Sequence, residues 1–330
     1  MSKSLGNVVA PQEVVSQSGA DILRLWVVAS DYSEDLRIGP EILKYQADVY
    51  RRLRNTLRYL LGALAGFGGG GERVAARDMP ELERYILHRL AEIDALVRQT
   101  AEAYDFHTMF TALHNLCAVD LSAFYFDVRK DGLYCDPPDA ARRRATRTVL
   151  DHVFEHLVRW LAPVLCFTAE EAWLTRHGDA DDSSVHLELY RDIPAGWRDD
   201  ALGAKWAKIR ELRRVVTGAL ELERAQKRIG SSLQAAVEIF AAPEWAAPLA
   251  GIDLPELCIT SAAELRLGAP PADAFTLGDV PGVGVRVTLA PGEKCERCWR
   301  VLPEVGVNKA HADLCARCAE AVESLAGAGQ

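Results

Sequence analysis

The stretch EILKYQADVYRRLRNTLRYLLGAL, Glu41 to Leu64, decides the architecture. Its apolar residues Ile42, Leu43, Tyr45, Val49, Leu53, Leu57, Leu60 and Leu61 recur at helical spacing, and Arg51, Arg52, Arg54 and Arg58 occupy the other face. Pro40 suits the first turn of a helix, and the glycine-rich run Gly66 to Gly71 ends it as a flexible linker. The pattern then repeats. A second helix is predicted from Pro80 to Tyr104, with Leu82, Ile86, Leu90, Ile93 and Val97 on one face. A third, rich in aromatics, runs from Phe106 to Phe126, and Asp136-Pro137-Pro138-Asp139 makes a turn. A fourth begins near Ala140, carries Val149, Leu150, Val153, Leu157 and Leu161, and stops or kinks at Pro163. Thr168 with Glu171 fits a capping box for a short helix through Trp173. Long helices with short connections predict an up-and-down bundle.

Outward from this bundle the pattern changes. Pro11 opens an acidic-apolar turn, Gly19 to Trp26 predicts a helix, and Asp31 to Asp35 is an irregular connection. Residues 179–200 are a polar connector. Lys205 to Arg228 is another long helix, whose eight cations face only three carboxylates, a local excess of five positive charges. After Gly230 the period shortens. Ala236 to Phe240, Leu257 to Thr260, and the alternation Val285, Val287, Leu289 each predict a strand. The tail beyond Ser324 is expected to be disordered. The fold class is therefore mainly α, a helical bundle followed by a small α+β unit and a C-terminal zinc ribbon. The expected divisions are residues 1–39, 40–200, 201–290 and 291–330.

With 330 residues, 49% of them hydrophobic, the chain is long enough for two or three domains. No apolar run approaches the length of a membrane span, and no apolar signal-peptide core is present, so a cytoplasmic protein with no membrane partner is expected. The net charge of −9 counts mildly against a nucleic-acid binder, although binding depends on local patches.

Cys295-Glu296-Arg297-Cys298 and Cys315-Ala316-Arg317-Cys318 are two C-x-x-C knuckles separated by sixteen residues. A two-residue spacer turns both thiolates of a knuckle toward one point, and this spacing suits tetrahedral Zn²⁺. Four protein ligands leave no open position, so the zinc is expected to be structural. His311 lies close by as a substitute ligand only. Cations beside an aromatic, Arg297 and Trp299 above all, suit a phosphate backbone and an unstacked base. The remaining cysteines, Cys117, Cys135, Cys166 and Cys258, are expected to be buried or free thiols.

The first residues, MSKSLGN, place one lysine, Lys3, among small and hydroxylated residues, as a phosphate-binding loop does. Followed by GADILRLW, they resemble the second ATP-binding signature of class I aminoacyl-tRNA synthetases. Gly292 to Trp299 with the second knuckle resembles the C-terminal zinc module of isoleucyl-tRNA synthetases. So do Tyr50 to Thr56, Ala103 to His107, Leu157 to Pro163 and Ile229 to Leu233.

That resemblance implies a helical anticodon-binding domain with tRNA(Ile) as partner, and Arg51, Arg52 and Arg54 facing its backbone. It implies that Lys3 is the catalytic lysine that contacts ATP phosphates, with Mg²⁺ expected alongside ATP. The family's His-x-Gly-His signature occurs nowhere in the sequence. The chain is thus expected to be the C-terminal part of a longer monomeric ligase, and ATP and isoleucine to bind only with an N-terminal half. The other possibility is a free-standing, non-catalytic, zinc-containing tRNA-binding protein. Under either, elemental analysis is expected to find about one zinc per chain. Replacing Cys295 and Cys315 by serine should unfold the tail and leave the bundle's helical signal intact.

Overall fold

The structure, a computed structural model, describes residues 4, 8–32, 35–180 and 182–328. The chain forms two compact units, Met1–Asp127 with Arg144–Arg198, and Val128–Arg143 with Asp199–Gln330. Among the described residues no helix is long and apolar enough to cross a membrane.

The first unit is helical. It contains α1 (Pro11–Ser18), α2 (Ala20–Ala29), α3 (Pro40–Ala63), α4 (Glu81–Glu102) and α5 (Phe106–Asn115). A π-helical stretch, Leu116–Tyr125, carries the chain from α5 into α6 (Phe126–Cys135), and α7 (Ala141–Leu161) and α8 (Cys166–His177) follow. The four long helices predicted from periodicity are present. Where a turn is expected at Pro11 the chain forms α1, because proline is tolerated at the first helical position. Gly19, at φ +87°, then breaks the chain between α1 and α2.

Helix α7 is the centre of this unit. Val149, Leu150, Val153, Phe154, Leu157, Trp160 and Leu161 are fully buried. Arg147, Asp151, Glu155 and Arg159 recur every fourth residue and are buried as well. A buried charge must be paired, and each of these recruits a partner from another segment. Arg147 donates to Glu72 at 2.8 Å and to the Ala65 carbonyl. Asp151 accepts from Arg73 and, at 2.9 Å, from Arg176. Glu155 pairs with Arg159 at 2.7 Å and with His177 at 2.8 Å, and Arg159 reaches Glu188. The stripe thereby fastens the glycine-rich linker, the end of α8 and the connector after it. Phe67 in that linker lies under the guanidiniums of Arg73, Arg147 and Arg176.

Thr168 and Glu171 do not form the expected capping box, since α8 begins two residues before Thr168. The orphan N–H groups of its first turn are met instead by buried Asp21 of α2. Asp21 accepts from the Thr168 N–H at 2.9 Å, the Thr168 hydroxyl at 2.7 Å and the Phe167 N–H at 3.3 Å. Arg24, one turn on, donates to the Val164 and Pro163 carbonyls in the turn between α7 and α8. Tyr50 of α3 shares a hydrogen bond with Thr168 at 2.9 Å.

The second unit contains α9 (Asp200–Ala225), packed on a four-stranded sheet of order β2-β1-β4-β3. The strands are β1 (Ala235–Ala241), β2 (Ala262–Leu267), β3 (Phe275–Thr276) and β4 (Val283–Leu289). β1 pairs in parallel with β2 and antiparallel with β4, with Ile239 opposite both Leu265 and Val285. Two short helices, α10 (Ala246–Leu249) and α11 (Leu254–Cys258), connect β1 to β2. The strand expected at Leu257 to Thr260 is absent. Asp253 caps the Glu256 N–H at 3.0 Å and Pro255 sits in the first turn, so those residues close α11. The last helix, α12 (Ala316–Ala328), continues beyond Ser324, where disorder was expected.

Two outcomes follow for the first unit. Asp21→Ala leaves buried N–H groups unpaired and should lower unfolding free energy in urea by about 2–3 kcal/mol, with Asp21→Asn costing less. Burial, with help from nearby Arg73, pushes the His152 imidazole down to about 4. The unfolded chain binds that proton near pH 6.5. Stability should therefore fall as the pH drops from about 6.5 towards about 4, and His152→Gln should flatten the slope of midpoint against pH.

Candidate metal centre and nucleic-acid surface

The four cysteines of the two knuckles meet in the second unit. Strands β5 (Glu293–Lys294) and β6 (Val301–Leu302) form an antiparallel ribbon, and the first knuckle is its turn. Cys295 donates its N–H to the Arg300 carbonyl at 2.8 Å, and its own carbonyl accepts from the Trp299 N–H at 2.8 Å. Trp299 takes a left-handed conformation, φ +66°, to close this turn. The second knuckle lies at the start of α12, where the helix N-terminus favours thiolates.

All four Sγ atoms lie within 4.8 Å of one another, and each cysteine is buried. The Cys298 and Cys315 sulfurs are 3.8 Å apart. A regular tetrahedron with Zn–S arms of about 2.3 Å has edges of about 3.8 Å, so this donor set fits zinc. The Cys315 N–H also points at the Cys295 sulfur, 3.3 Å away. Thiols this close resist ionising unless a cation lies among them. The hydrogen bond shared with Cys318, and then burial, push the Cys298 thiol up to about 12. His311 is not drawn in, and its ring pairs with Glu323 at 3.1 Å.

The surroundings of the centre differ from the sequence-based expectation. Arg297, expected to face nucleic acid, is half-buried and donates to the carbonyls of Cys135 and Tyr134 and towards the Cys318 sulfur at 3.8 Å. Arg317 grips Asp131 with both guanidinium nitrogens and reaches Asp136 at 3.2 Å. Arg300 donates to the Ser261 carbonyl at 2.8 Å, and the Ser261 hydroxyl accepts from the Val301 N–H at 2.7 Å. These arginines fasten the ribbon to the rest of its unit. Trp299 remains open, 61% exposed. Cys135, unremarked by spacing, packs within the same thiol cluster. Cys117 and Cys258 are ordinary buried thiols, each pushed up to about 12 by burial.

In the first unit, Arg51, Arg52, Arg54 and Arg58 project from α3 as its period requires, all exposed. Arg51 pairs with Asp48 at 2.9 Å and Arg54 lies 3.8 Å from Glu171. Arg52 and Arg58 have no ion pair or side-chain hydrogen bond among the described residues. Arg54 and Arg58, with Leu57, Leu61, Thr168 and Thr175, line a pocket of about 300 Å³ between α3 and α8. Arg58 carries the clearest sequence signal of a missed site residue, since it follows Arg54 by one turn. The excess charge of α9 is largely spent internally, with Arg214 on Asp279, Arg213 on the Leu257 carbonyl, and Arg224 and Arg228 on neighbouring glutamates. Lys3 lies outside the described residues.

Three protein families match the chain. Residues 83–239 match the anticodon-binding domain of tRNA ligase, residues 292–321 the zinc finger found in FPG and IleRS, and residues 1–39 the class I tRNA synthetases for I, L, M and V. An isoleucine–tRNA ligase of Brucella abortus biovar 1 (strain 9-941) is 52% identical over 331 residues, covering all of this chain and 34% of that protein. Those of Agrobacterium fabrum (strain C58) and Gluconobacter oxydans (strain 621H) are 53% and 52% identical, each covering 98% of this chain and 33% of the relative. The chain thus spans about a third of the length of the curated relatives it matches.

Gly292, at φ +109°, offers a test of the ribbon. A Cβ there would lie 2.2 Å from the Leu302 carbonyl carbon. Gly292→Ala should therefore break the β5–β6 pairing and lower metal content, measured by elemental analysis, while leaving the helical signal of the first unit unchanged.

Proposed function

We propose, for a chain that belongs to the isoleucine–tRNA ligase family of class I synthetases, that it forms the tRNA-binding part of an enzyme that activates isoleucine with ATP and charges tRNA(Ile). The observation that carries this reading is the row of cations on α3. Arg52 and Arg58 stand in solvent with no carboxylate partner among the described residues, beside a pocket bordered by Arg54. Unpaired guanidiniums exposed along one helix suit the phosphates of a backbone, although Arg52 and Arg58, six residues apart, lie about 120° apart around it, and an exposed Trp299 suits a stacked base. Arg51 contributes more weakly, because Asp48 already neutralises it. Arg297 supports the fold of the ribbon rather than a direct contact.

In this reading Cys295, Cys298, Cys315 and Cys318 hold one Zn²⁺ with a closed shell. The metal supplies folding energy to a segment too small for its own core. Lys3 serves the ATP site of the whole enzyme. Its ammonium meets the charge that develops on the α-phosphate as pyrophosphate leaves, with Mg²⁺ accompanying ATP. The residues that bind isoleucine and adenosine belong to the remainder of the enzyme, so this chain alone would bind tRNA without forming the adenylate. A monomer in the cytoplasm is the expected state.

Fluorescence anisotropy with tRNA(Ile) over a salt series tests this. Affinity should fall steeply with salt, and Arg52→Ala with Arg58→Ala should weaken binding about tenfold, about 1.4 kcal/mol. Each lost phosphate contact should also reduce the salt slope by about 0.7–0.9. Unchanged affinity and slope in the double variant would remove α3 from the interface.

A further inference from the structure

The pocket between α3 and α8 holds more chemistry than a bare row of cations needs. Its volume of about 300 Å³ puts it at the lower end of the range for small-ligand sites. Buried Leu57 and Ala172 give it an apolar floor. The two threonine hydroxyls in its lining are already engaged. Thr168 bonds Asp21 and Tyr50, and Thr175 donates to the Glu171 carbonyl at 2.7 Å. Three polar groups are left, the Arg54 and Arg58 guanidiniums one turn apart on α3 and the Glu171 carboxylate on α8. Arg54 and Glu171 stand 3.8 Å apart, the outer limit of an ion pair, and both are well exposed. The contact is therefore weak, and it saturates neither group.

These groups exclude some ligands and select one. A phosphate inside the pocket would meet the Glu171 carboxylate, and an apolar floor does nothing for its charge. What fits is a flat ring that offers donors to a carboxylate and acceptors to a guanidinium. We propose that the α3–α8 pocket takes one unstacked guanine base of bound RNA, an inference that rests on the tRNA-binding reading of α3 above. Glu171 accepts from guanine N1–H and N2–H, and Arg54 donates to O6 and N7. Arg58 holds the adjoining phosphate, and the ring lies on Leu57 and Ala172. The two edges of guanine meet at O6, so the groups that read them must stand side by side, as Arg54 and Glu171 do. No other base satisfies both. Adenine and cytosine each set a lone amino donor beside ring nitrogens that a carboxylate repels. Uracil sets its one donor between two carbonyls.

The test is fluorescence anisotropy on the full chain. The probes are tRNA(Ile) and single-stranded uridine decamers that carry guanosine, inosine, adenosine, cytidine or uridine at one central position. The guanosine decamer should bind about tenfold more tightly than those with adenosine, cytidine or uridine, in the range of one bidentate base contact. Inosine lacks the N2 amino group and should fall between. Glu171→Gln should bring all the decamers to equal affinity and leave the salt slope unchanged, because no cation is removed. Arg58→Ala should weaken every decamer by the same factor and reduce the slope by about 0.7. Glu171 and Arg58 are exposed, so neither variant disturbs the core of the bundle. Equal affinities in the parent chain, or a guanosine preference that survives Glu171→Gln, would overturn the proposal. Binding of tRNA(Ile) with no binding of any decamer would overturn it as well, since a site for an unstacked base takes a single strand. Failure of tRNA(Ile) itself to bind would refute the tRNA-binding reading of α3, and this proposal with it.

Discussion

Four charged residues on one face of a buried helix hold the first unit together. Arg147, Asp151, Glu155 and Arg159 of α7 lie where water cannot solvate them. Leaving any one unpaired would cost several kcal/mol. The chain answers by wrapping around the helix. The linker after α3 brings Glu72 and Arg73, α8 brings Arg176 and His177, and the connector brings Glu188. A replacement of the stripe by aliphatic residues could keep α7 buried. It would give those segments no reason to lie where they do. The charges thus specify an arrangement more than they add stability, and that arrangement presents the α3–α8 pocket.

The ribbon follows the same logic on a smaller scale. Its apolar content is slight, so its shape depends on the metal-binding thiols and on arginines that leave the knuckles for the nearby turn. Arg297 and Arg317 each sit between two cysteines of a C-x-x-C pair, the spacer positions that a metal motif leaves free. Those positions attach the centre to its surroundings. The second unit is therefore a sheet and a metal centre joined through Ser261 and one helical turn, rather than a sheet with a loose appendage.

Much of this was legible in the sequence. The helices of the bundle announced themselves through their apolar period, and the metal centre through cysteine spacing. Both signals are local and repeat. The misreadings share a different cause. Leu257 to Thr260 looks apolar enough for a strand, but Asp253 and Pro255 upstream dictate a helical turn, a start signal that outweighs apolar content. Thr168 and Glu171 have capping-box spacing, yet the acceptor comes from Asp21, 147 residues earlier in the chain. Arg297 looked like a surface cation because its carbonyl partners lie 162 residues away. Cys135 carried no spacing signal for the same reason. Contacts of that separation leave no periodic trace in a single sequence.

The turn Val128–Arg143 belongs to the second unit, whereas the chain on both sides of it belongs to the first. The polypeptide therefore passes between the units three times, after Asp127, after Arg143 and after Arg198. Two units joined by a single linker can be parted by one protease cut, and each piece can persist. Here a nick at the last crossing would leave the hairpin turn attached to one fragment while Arg317, Arg297 and Glu256, which hold it, stay on the other. The fragments would remain associated through that turn. Neither could be prepared intact by cutting the gene at its most obvious boundary.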